Sequence, residues 1–303
     1  MESLGRLLRK TSESDSIPSS PDPMKDCRRG VRTEESVCPT CRRTFNGQVV
    51  IYTVLGQIRE VNPRECPACR EAREAQERRL EAEELRIKQV KRREQWRRSC
   101  GIPMYLCDKT FANFDSRFQR KVALAAERWT QGFSMETASG YPSLVLHSEE
   151  YGVGKTHLAV AIANHIISSW QGDPDRAACP VRFESGPGLV RRIRATYSIP
   201  SDQPYHETEE MVYNQLRGVR LLIMDDVGKE RPSPHTREVY WYLIDERMKW
   251  GLPVIITSNL PLEGENSLEQ LMGEAAVSRL IGMSRGNYFK LQGEDFRRRQ
   301  KKP

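Results

Sequence analysis

The sequence predicts an α/β protein: a five-stranded parallel sheet flanked by helices, preceded by a small cysteine-rich module and a long helix. Three observations predict it. Apolar strand-like runs alternate with helical segments from about residue 100 onward, a glycine-rich loop joins the first of those strands to a helix, and two C-x-x-C pairs stand upstream of both.

The strands come first. SLVLHS (143–148) reads as a strand and KTHLAVAIANHIISSW (155–170) as the helix after it, followed by the strands VRFES (181–185), VRLLIMDD (219–226), PVIITSN (253–259) and NYFKL (287–291). Short, nearly continuous apolar runs bounded by turn residues suit strands covered on both faces. About a dozen residues follow the last strand, too few for a separate helical domain there.

Upstream, residues 71–99 contain neither Gly nor Pro and are rich in Ala, Glu, Arg, Leu and Lys, all good helix formers. Their apolar positions are too sparse for a coiled-coil seam, so the segment reads as a charged helical linker: a solvated connector first, a DNA-contacting arm second. Residues 1–30, with SESDSIPSSPDP, cannot bury enough apolar area to offset ordering entropy and are expected to form a flexible tail. Within it Leu4, Leu7 and Leu8 are spaced for one short helical turn that could dock on a partner, with a frayed end as the plainer reading.

Bulk properties narrow the function classes. The 303 residues leave room for about two domains, and no apolar stretch approaches the ~20 residues that span a bilayer, so a membrane protein is not expected. The N-terminus has no apolar core or cleavage site of a secretory signal, which places the chain in the cytoplasm. A net charge of +7 and a pI near 9.0, with basic residues crowded into 86–98 and the C-terminal RRRQKK, are compatible with a nucleic-acid partner; ordinary solubility charge is the alternative.

CPTC (38–41) and CPAC (66–69) flank a β-like stretch, QVVIYTVLG. Cys38, Cys41, Cys66 and Cys69 thus have the spacing that holds tetrahedral Zn²⁺, and in a module as small as residues 31–70 the metal would supply most of the folding energy. Two disulfides or a redox pair are the rivals, disfavoured in a reducing compartment. Cys27, Cys100, Cys107 and Cys179 have no such pairing and read as ordinary thiols.

HSEEYGVGKT lies between a strand and a helix, the context a phosphate-binding loop requires. Gly152 and Gly154 let backbone N–H groups turn toward phosphate oxygens, Lys155 can reach the outer phosphates, and the Thr156 hydroxyl can ligate Mg²⁺. Tyr151, Val153 and His157 complete the expected ATP contacts. A turn that carries Lys-Thr by coincidence is the plain alternative. The usual pattern would put a glycine at 149, where this chain has Glu149 followed by Glu150; two carboxylates near a triphosphate weaken affinity unless they point outward.

LLIMDD ends a buried strand in two carboxylates at the edge where open α/β sheets bind ligands. Asp225 is placed to hold Mg²⁺ through water and Asp226 to polarise the attacking water, a task its short arm makes geometrically demanding. Asn259, after IITS, could orient that water; capping a strand-to-loop junction is the rival for all three.

Taken together, GVGKTHLAVAIAN, LLIMDD, IITSN, AVSRL and GEDFR resemble the DnaC/IstB family of AAA+ ATPases, in its bacterial helicase-loader branch, over roughly residues 100–300. GIPMYLCDKTFANFD (101–115) looks like that family's lead-in, and GPGLVRRIRATY (186–197) like the helix of its initiator-type insertion. The resemblance implies an AAA+ core with little or no C-terminal lid, self-association through the ATPase domain, Arg279 as an arginine finger acting in trans, and Arg297 as a C-terminal sensor arginine in contact with nucleotide. A guanidinium offered in trans stabilises charge on the transferred phosphoryl group. It further implies single-stranded DNA along Arg191, Arg192 and Arg194, and a hexameric replicative DNA helicase as partner, since an N-terminal zinc module occurs in some Gram-positive-type loaders. Two other functions stay open: an IstB-like helper of a transposase, and a nucleotide-gated DNA-binding adaptor with little hydrolysis.

Overall fold

The computed structural model describes residues 29–54, 57–62, 65–117, 119–197 and 206–299, in two compact units, Met1–Glu83 and Glu84–Pro303. Leu4, Leu7, Leu8, Cys27 and the basic residues from 300 onward lie outside the described residues.

In the first unit β1 (Arg29–Val37), β2 (Thr44–Val54) and β3 (Gln57–Val61) form an antiparallel sheet in that order. The expected hairpin between the cysteine pairs is β2 and β3. β1 is additional: it precedes the first pair and starts at Arg29, inside the stretch read as tail. Its sequence, RGVRTEESV, is too polar to announce a strand; the pairing with β2, from Arg29 opposite Tyr52 to Val37 opposite Thr44, makes it one. Helix α1 (Pro67–Ser99) begins inside the second cysteine pair, with Pro67 at its first position, where a missing N–H costs nothing. Glu–Arg pairs one turn apart, Arg73–Glu77 and Arg78–Glu74, lace its exposed first half.

The end of α1 belongs to the second unit and corrects the solvated-connector reading. Trp96 is buried, 4.6 Å from Trp170 between ring centroids. Gln89 Nε2 donates to the carbonyl of Gln171 at 2.7 Å, Arg92 Nε to that of Pro174 at 2.7 Å, and Arg93 to that of Ser168. Arg92 and Arg93 of the basic run 86–98 are therefore engaged with carbonyls at and beyond the C-terminal end of helix Lys155–Ser169, where the helix dipole favours cations. Charge counting could not distinguish that use from a free phosphate-binding stripe.

α2 (Arg120–Gly132), β4 (Leu144–His147), α3 (Lys155–Ser169), β5 (Val181–Ser185), α4 (Gly186–Thr196), α5 (Glu209–Arg217), β6 (Leu221–Val227), α6 (Pro234–Lys249), β7 (Val254–Ser258), α7 (Leu268–Met272), α8 (Glu274–Ser284), β8 (Tyr288–Lys290) and α9 (Phe296–Arg299) follow. The five strands of this unit run parallel in the order β5-β6-β7-β4-β8, so all five predicted strands form, with ends shifted by at most two residues. α2, α3 and the end of α1 pack on one face with Leu144, Leu146, Ile223 and Ile255; α4 to α8 pack on the other with Val145, Leu222, Met224 and Ile256. α3 is buried on nearly every side, which explains its apolar sequence. Past β8 the described residues hold the four-residue α9.

Sequence reading gave no hint of Arg247, which is wholly buried on α6. Its guanidinium donates to the carbonyls of Leu216 (2.7 Å), Val219 (3.0 Å) and Pro253 (2.6 Å), tying the end of α5 and the entries of β6 and β7 to one cation. Burial draws its pKa down to about 9, so it stays charged at neutral pH. Among the described residues no helix is long and apolar enough to cross a membrane.

Candidate nucleotide site and cysteine cluster

The parallel register brings the carboxyl ends of the strands to one edge: His147 lies opposite Ser258 and Lys290, and Asp225 opposite Ser185. The loop after β4 closes on this edge. Gly152 (φ 69°) and Gly154 (φ 104°) have left-handed backbone, which other L-residues adopt only with strain. Neither has room for a side chain: a Cβ on Gly154 would stand 2.6 Å from the Phe114 ring, and one on Gly152 would overlap the Asp295 carboxylate. The lead-in segment and the C-terminal segment thus both press on the loop, and the Phe296 N–H donates to the Gly152 carbonyl at 3.1 Å.

Lys155 is buried in the first turn of α3, its ammonium 3.1 Å from the carbonyl of Glu150 and 3.4 Å from that of Ser148. Asn259 Nδ2 donates to the same two carbonyls, at 3.0 and 2.8 Å, so lysine and amide share one stretch of loop backbone. Burial lowers the Lys155 pKa to about 8, against the opposing pull of Asp226 and Asp225. Thr156 Oγ1 donates to Asp225 at 2.9 Å, and Thr257 Oγ1 donates to the same carboxylate at 2.6 Å. Burial raises the pKa of Asp225, an effect the two hydroxyls oppose. These oxygens could hold a hard divalent cation such as Mg²⁺ beside a phosphate, because the donor set is all oxygen and Asp225 is nearly enclosed.

Asp226 is turned out of the strand. A β-bulge separates Met224 from Val227 in the β6–β7 ladder, and Asp226 takes φ 55°, which re-aims its carboxylate. Its N–H donates to Thr257 Oγ1 at 2.9 Å and its carboxylate pairs with Lys229. Thr257 therefore serves both aspartates, although sequence reading passed over it in favour of Asn259. The available signal was a hydroxyl inside an apolar strand.

Glu149 does not crowd the loop. It pairs with Lys290 on β8 at 2.8 Å, and Glu150 accepts a hydrogen bond from Ser148 Oγ at 2.7 Å; both partners hold the carboxylates below their usual pKa. An exposed pair of this kind is screened by solvent and contributes little. Glu149→Gly should accordingly alter ATP affinity by less than about threefold in titration calorimetry; a tenfold gain would restore the electrostatic objection.

The other candidates are dispersed. His157 Nε2 contacts the Thr110 carbonyl (2.9 Å) and Asn113 Oδ1 (3.0 Å), so it fastens the lead-in segment to α3. Tyr151 is exposed beside the loop, and Arg297 is exposed in α9. Arg279 on α8 is paired within its own chain, Nε to Asp245 at 2.9 Å. On α4, Arg191 and Arg194 are exposed, whereas Arg192 is enclosed by Glu184 and Glu207, which corrects its reading as a free phosphate contact. Its sequence neighbours carry the same charge, so only the fold could separate it from them.

In the first unit the Sγ atoms of Cys38, Cys41, Cys66 and Cys69 all lie within 4.8 Å of one another, Cys41 and Cys66 at 3.7 Å. A tetrahedron with Zn–S bonds of ~2.3 Å has S–S edges of roughly 3.8 Å, so this cluster can bind zinc. Backbone N–H groups of Cys66 and Cys41 lower the Cys38 thiol to about 6, and hydrogen bonding among the thiols pushes Cys69 up to about 12. One sulfur is thus ready as thiolate, and a cation would have to displace the proton of another.

Fold and loop together define a P-loop nucleotide-binding protein of α/β architecture. The particular family is the IstB-like ATP binding protein family, to which the chain belongs: the family's sequence profile matches residues 71–303. Among curated relatives, the replicative helicase loader DnaC of Buchnera aphidicola subsp. Schizaphis graminum is 27% identical over 182 residues, 59% of this chain and 66% of that protein. DnaC of Escherichia coli K12 is 23% identical over 146 residues, 48% of this chain and 53% of its own length. The chain thus spans less than two thirds of these relatives. A crystal structure of the DnaC helicase loader superposes with a TM-score of 0.49 at 22% identity, covering 63% of this chain and 100% of the other.

Proposed function

We propose that this protein is a cytoplasmic, Mg²⁺-dependent ATPase that loads a hexameric replicative DNA helicase onto single-stranded DNA during the initiation of replication. The observation that carries the reading is the Thr156–Asp225 hydrogen bond, which joins the phosphate loop to the acidic strand end where a metal and a triphosphate would meet. ATP would lie along Gly152 to Thr156, with Mg²⁺ on Thr156 and, through water, Asp225. Asp226 would take the proton of the attacking water, and Asn259 would hold the loop while its amide faces that water. Arg279 would exchange Asp245 for a neighbouring subunit's γ-phosphate, and Arg297 would meet nucleotide from α9. Arg191 and Arg194 supply cations for DNA, and the zinc-binding unit is the surface offered to the helicase. The relatives named replicative helicase loader support the assignment.

Steady-state ATP hydrolysis with and without single-stranded DNA tests it first: the rate should fall at least tenfold in Lys155→Ala, and equal rates would leave only a nucleotide-gated adaptor. A pull-down with a replicative helicase in the presence of zinc and ATP tests the loader role, which fails if the intact protein captures none.

The Lys155 environment also predicts a pH dependence. In the free protein the ammonium loses its proton near pH 8, below the ordinary lysine value, and a bound triphosphate favours the charged form. ATP affinity should therefore be fully expressed below that pH and decline as pH rises through it, with proton uptake on binding. Calorimetry in buffers of different ionisation enthalpy measures this; an affinity flat up to pH 9.5 contradicts it.

A further inference from the structure

Between the acidic strand end and α4 lies a carboxylate to which no role has been given. Glu230 follows Asp226 by four residues, and one of its oxygens accepts the Gly228 N–H at 2.7 Å while the other accepts the Tyr240 hydroxyl. Tyr240 is fully buried on α6, so that hydroxyl is a fixed post. Gly228 itself has φ 110°, and the turn from Asp226 to Glu230 is folded back twice, with Lys229 on Asp226 and Glu230 on Gly228. Left-handed backbone at a non-glycine such as Asp226 persists where its surroundings over-determine it. Here the determinants are Thr257 on one side of the turn and Glu230 on the other.

Glu230 also abuts α4. A Cβ built on Gly186, the first residue of that helix, would overlap the Glu230 carboxylate, stand 2.7 Å from the Tyr240 hydroxyl and 3.1 Å from the Val227 Cα. The helix starts flush against the turn that carries Asp226, and a carboxylate there is favourably placed at the positive end of an eleven-residue helix. The Gly186 backbone itself lies outside the left-handed region, so alanine is excluded by its neighbours and not by conformation.

We propose that Glu230 is the positioning residue of the hydrolytic site: it fixes the turn that aims Asp226 and couples that turn to the N-terminal end of α4, the helix that carries Arg191 and Arg194. The inference rests on the ATPase reading above. It gives Glu230 no contact with substrate. Its effect is on the geometry of Asp226, hence on turnover and not on nucleotide binding, because none of its contacts reaches Lys155, Thr156 or the glycines of the loop. A load on α4, such as a bound DNA strand, is transmitted to the turn through the Gly186 contact.

The test compares full-length wild type, Glu230→Ala, Glu230→Gln, Gly186→Ala and the Gly186→Ala/Glu230→Ala double variant, with Lys155→Ala as the inactive control. Wild-type hydrolysis no greater than the control defeats the ATPase reading itself, separately from this inference. Given wild-type turnover, Glu230→Ala should lower kcat at least tenfold with KM for ATP within twofold, and abolish stimulation by an oligothymidylate. Glu230→Gln should recover part of kcat, since its oxygen can still accept the Gly228 N–H and its amide can donate to the Tyr240 oxygen. Gly186→Ala should lower kcat as well, and the double variant should lose less than the two single losses combined, because removing the Glu230 carboxylate relieves the nearest of the methyl's three contacts while those with the Tyr240 hydroxyl and the Val227 Cα remain. An unchanged kcat in Glu230→Ala, a parallel change in KM and kcat with a lowered thermal midpoint, or simple additivity in the double variant overturns the proposal.

Discussion

Stripping the metal from zinc-loaded protein should unfold the β1–β3 unit while leaving the parallel sheet intact. That unit has little else to hold it: Val49 is its one buried apolar side chain besides the cysteines among the described residues, whereas Val31, Val37, Ile58 and Val61 are each more than half exposed. A three-stranded sheet with so small a core does not offset its own conformational entropy. A structural zinc site contributes on the order of 10–16 kcal/mol at neutral pH. Hydrogen exchange before and after stoichiometric chelation, with metal content measured, checks this. Protection of β2 should collapse and that of β6 and β7 persist; unchanged protection in β2 would mean the sheet folds without metal. Acid should act like the chelator, because protons compete for the sulfurs.

Replacing Arg247 by Met should cost about 3–5 kcal/mol of stability, the scale for breaking a buried charged hydrogen-bond network. The loss has two parts. Carbonyls at the end of α5 and at the starts of β6 and β7 lose their donor, those of Leu216 and Pro253 in buried surroundings, and the shorter, apolar chain cannot fill the guanidinium's planar slot. Arg247→Lys keeps the charge but not the fork, and should fall between the two. Urea denaturation with an unchanged slope reads the difference directly. A loss under ~1 kcal/mol would mean that the loops find other donors.

Most of the second unit was legible in the sequence because its strands are buried on both faces and so are written in continuous apolar runs. The phosphate loop was legible because glycine, lysine and threonine must fall at fixed spacing between strand and helix. Strand order was not: nothing in PVIITSN says that it lies between β4 and β6. β1 was missed because an exposed strand need not alternate, and the docking of α1 because one tryptophan and a few arginines among many charges leave no periodic trace. Within the site, the side chains that hold others in place, Thr257, Glu230 and Lys290, were invisible for a common reason. Each acts through a partner distant in the chain or through a turn whose shape no motif encodes. Glu149, suspect in sequence, proved to be tied off by such a partner.

The Trp96–Trp170 contact has a practical consequence. Two indoles 4.6 Å apart and tilted by 60° couple their electronic transitions, and so generate a paired-sign circular dichroism signal that separated tryptophans lack. The protein therefore carries its own optical gauge of whether the end of α1 is seated on the sheet domain. Adding nucleotide, DNA or helicase and watching that couplet would register any unlatching of the helix without a label.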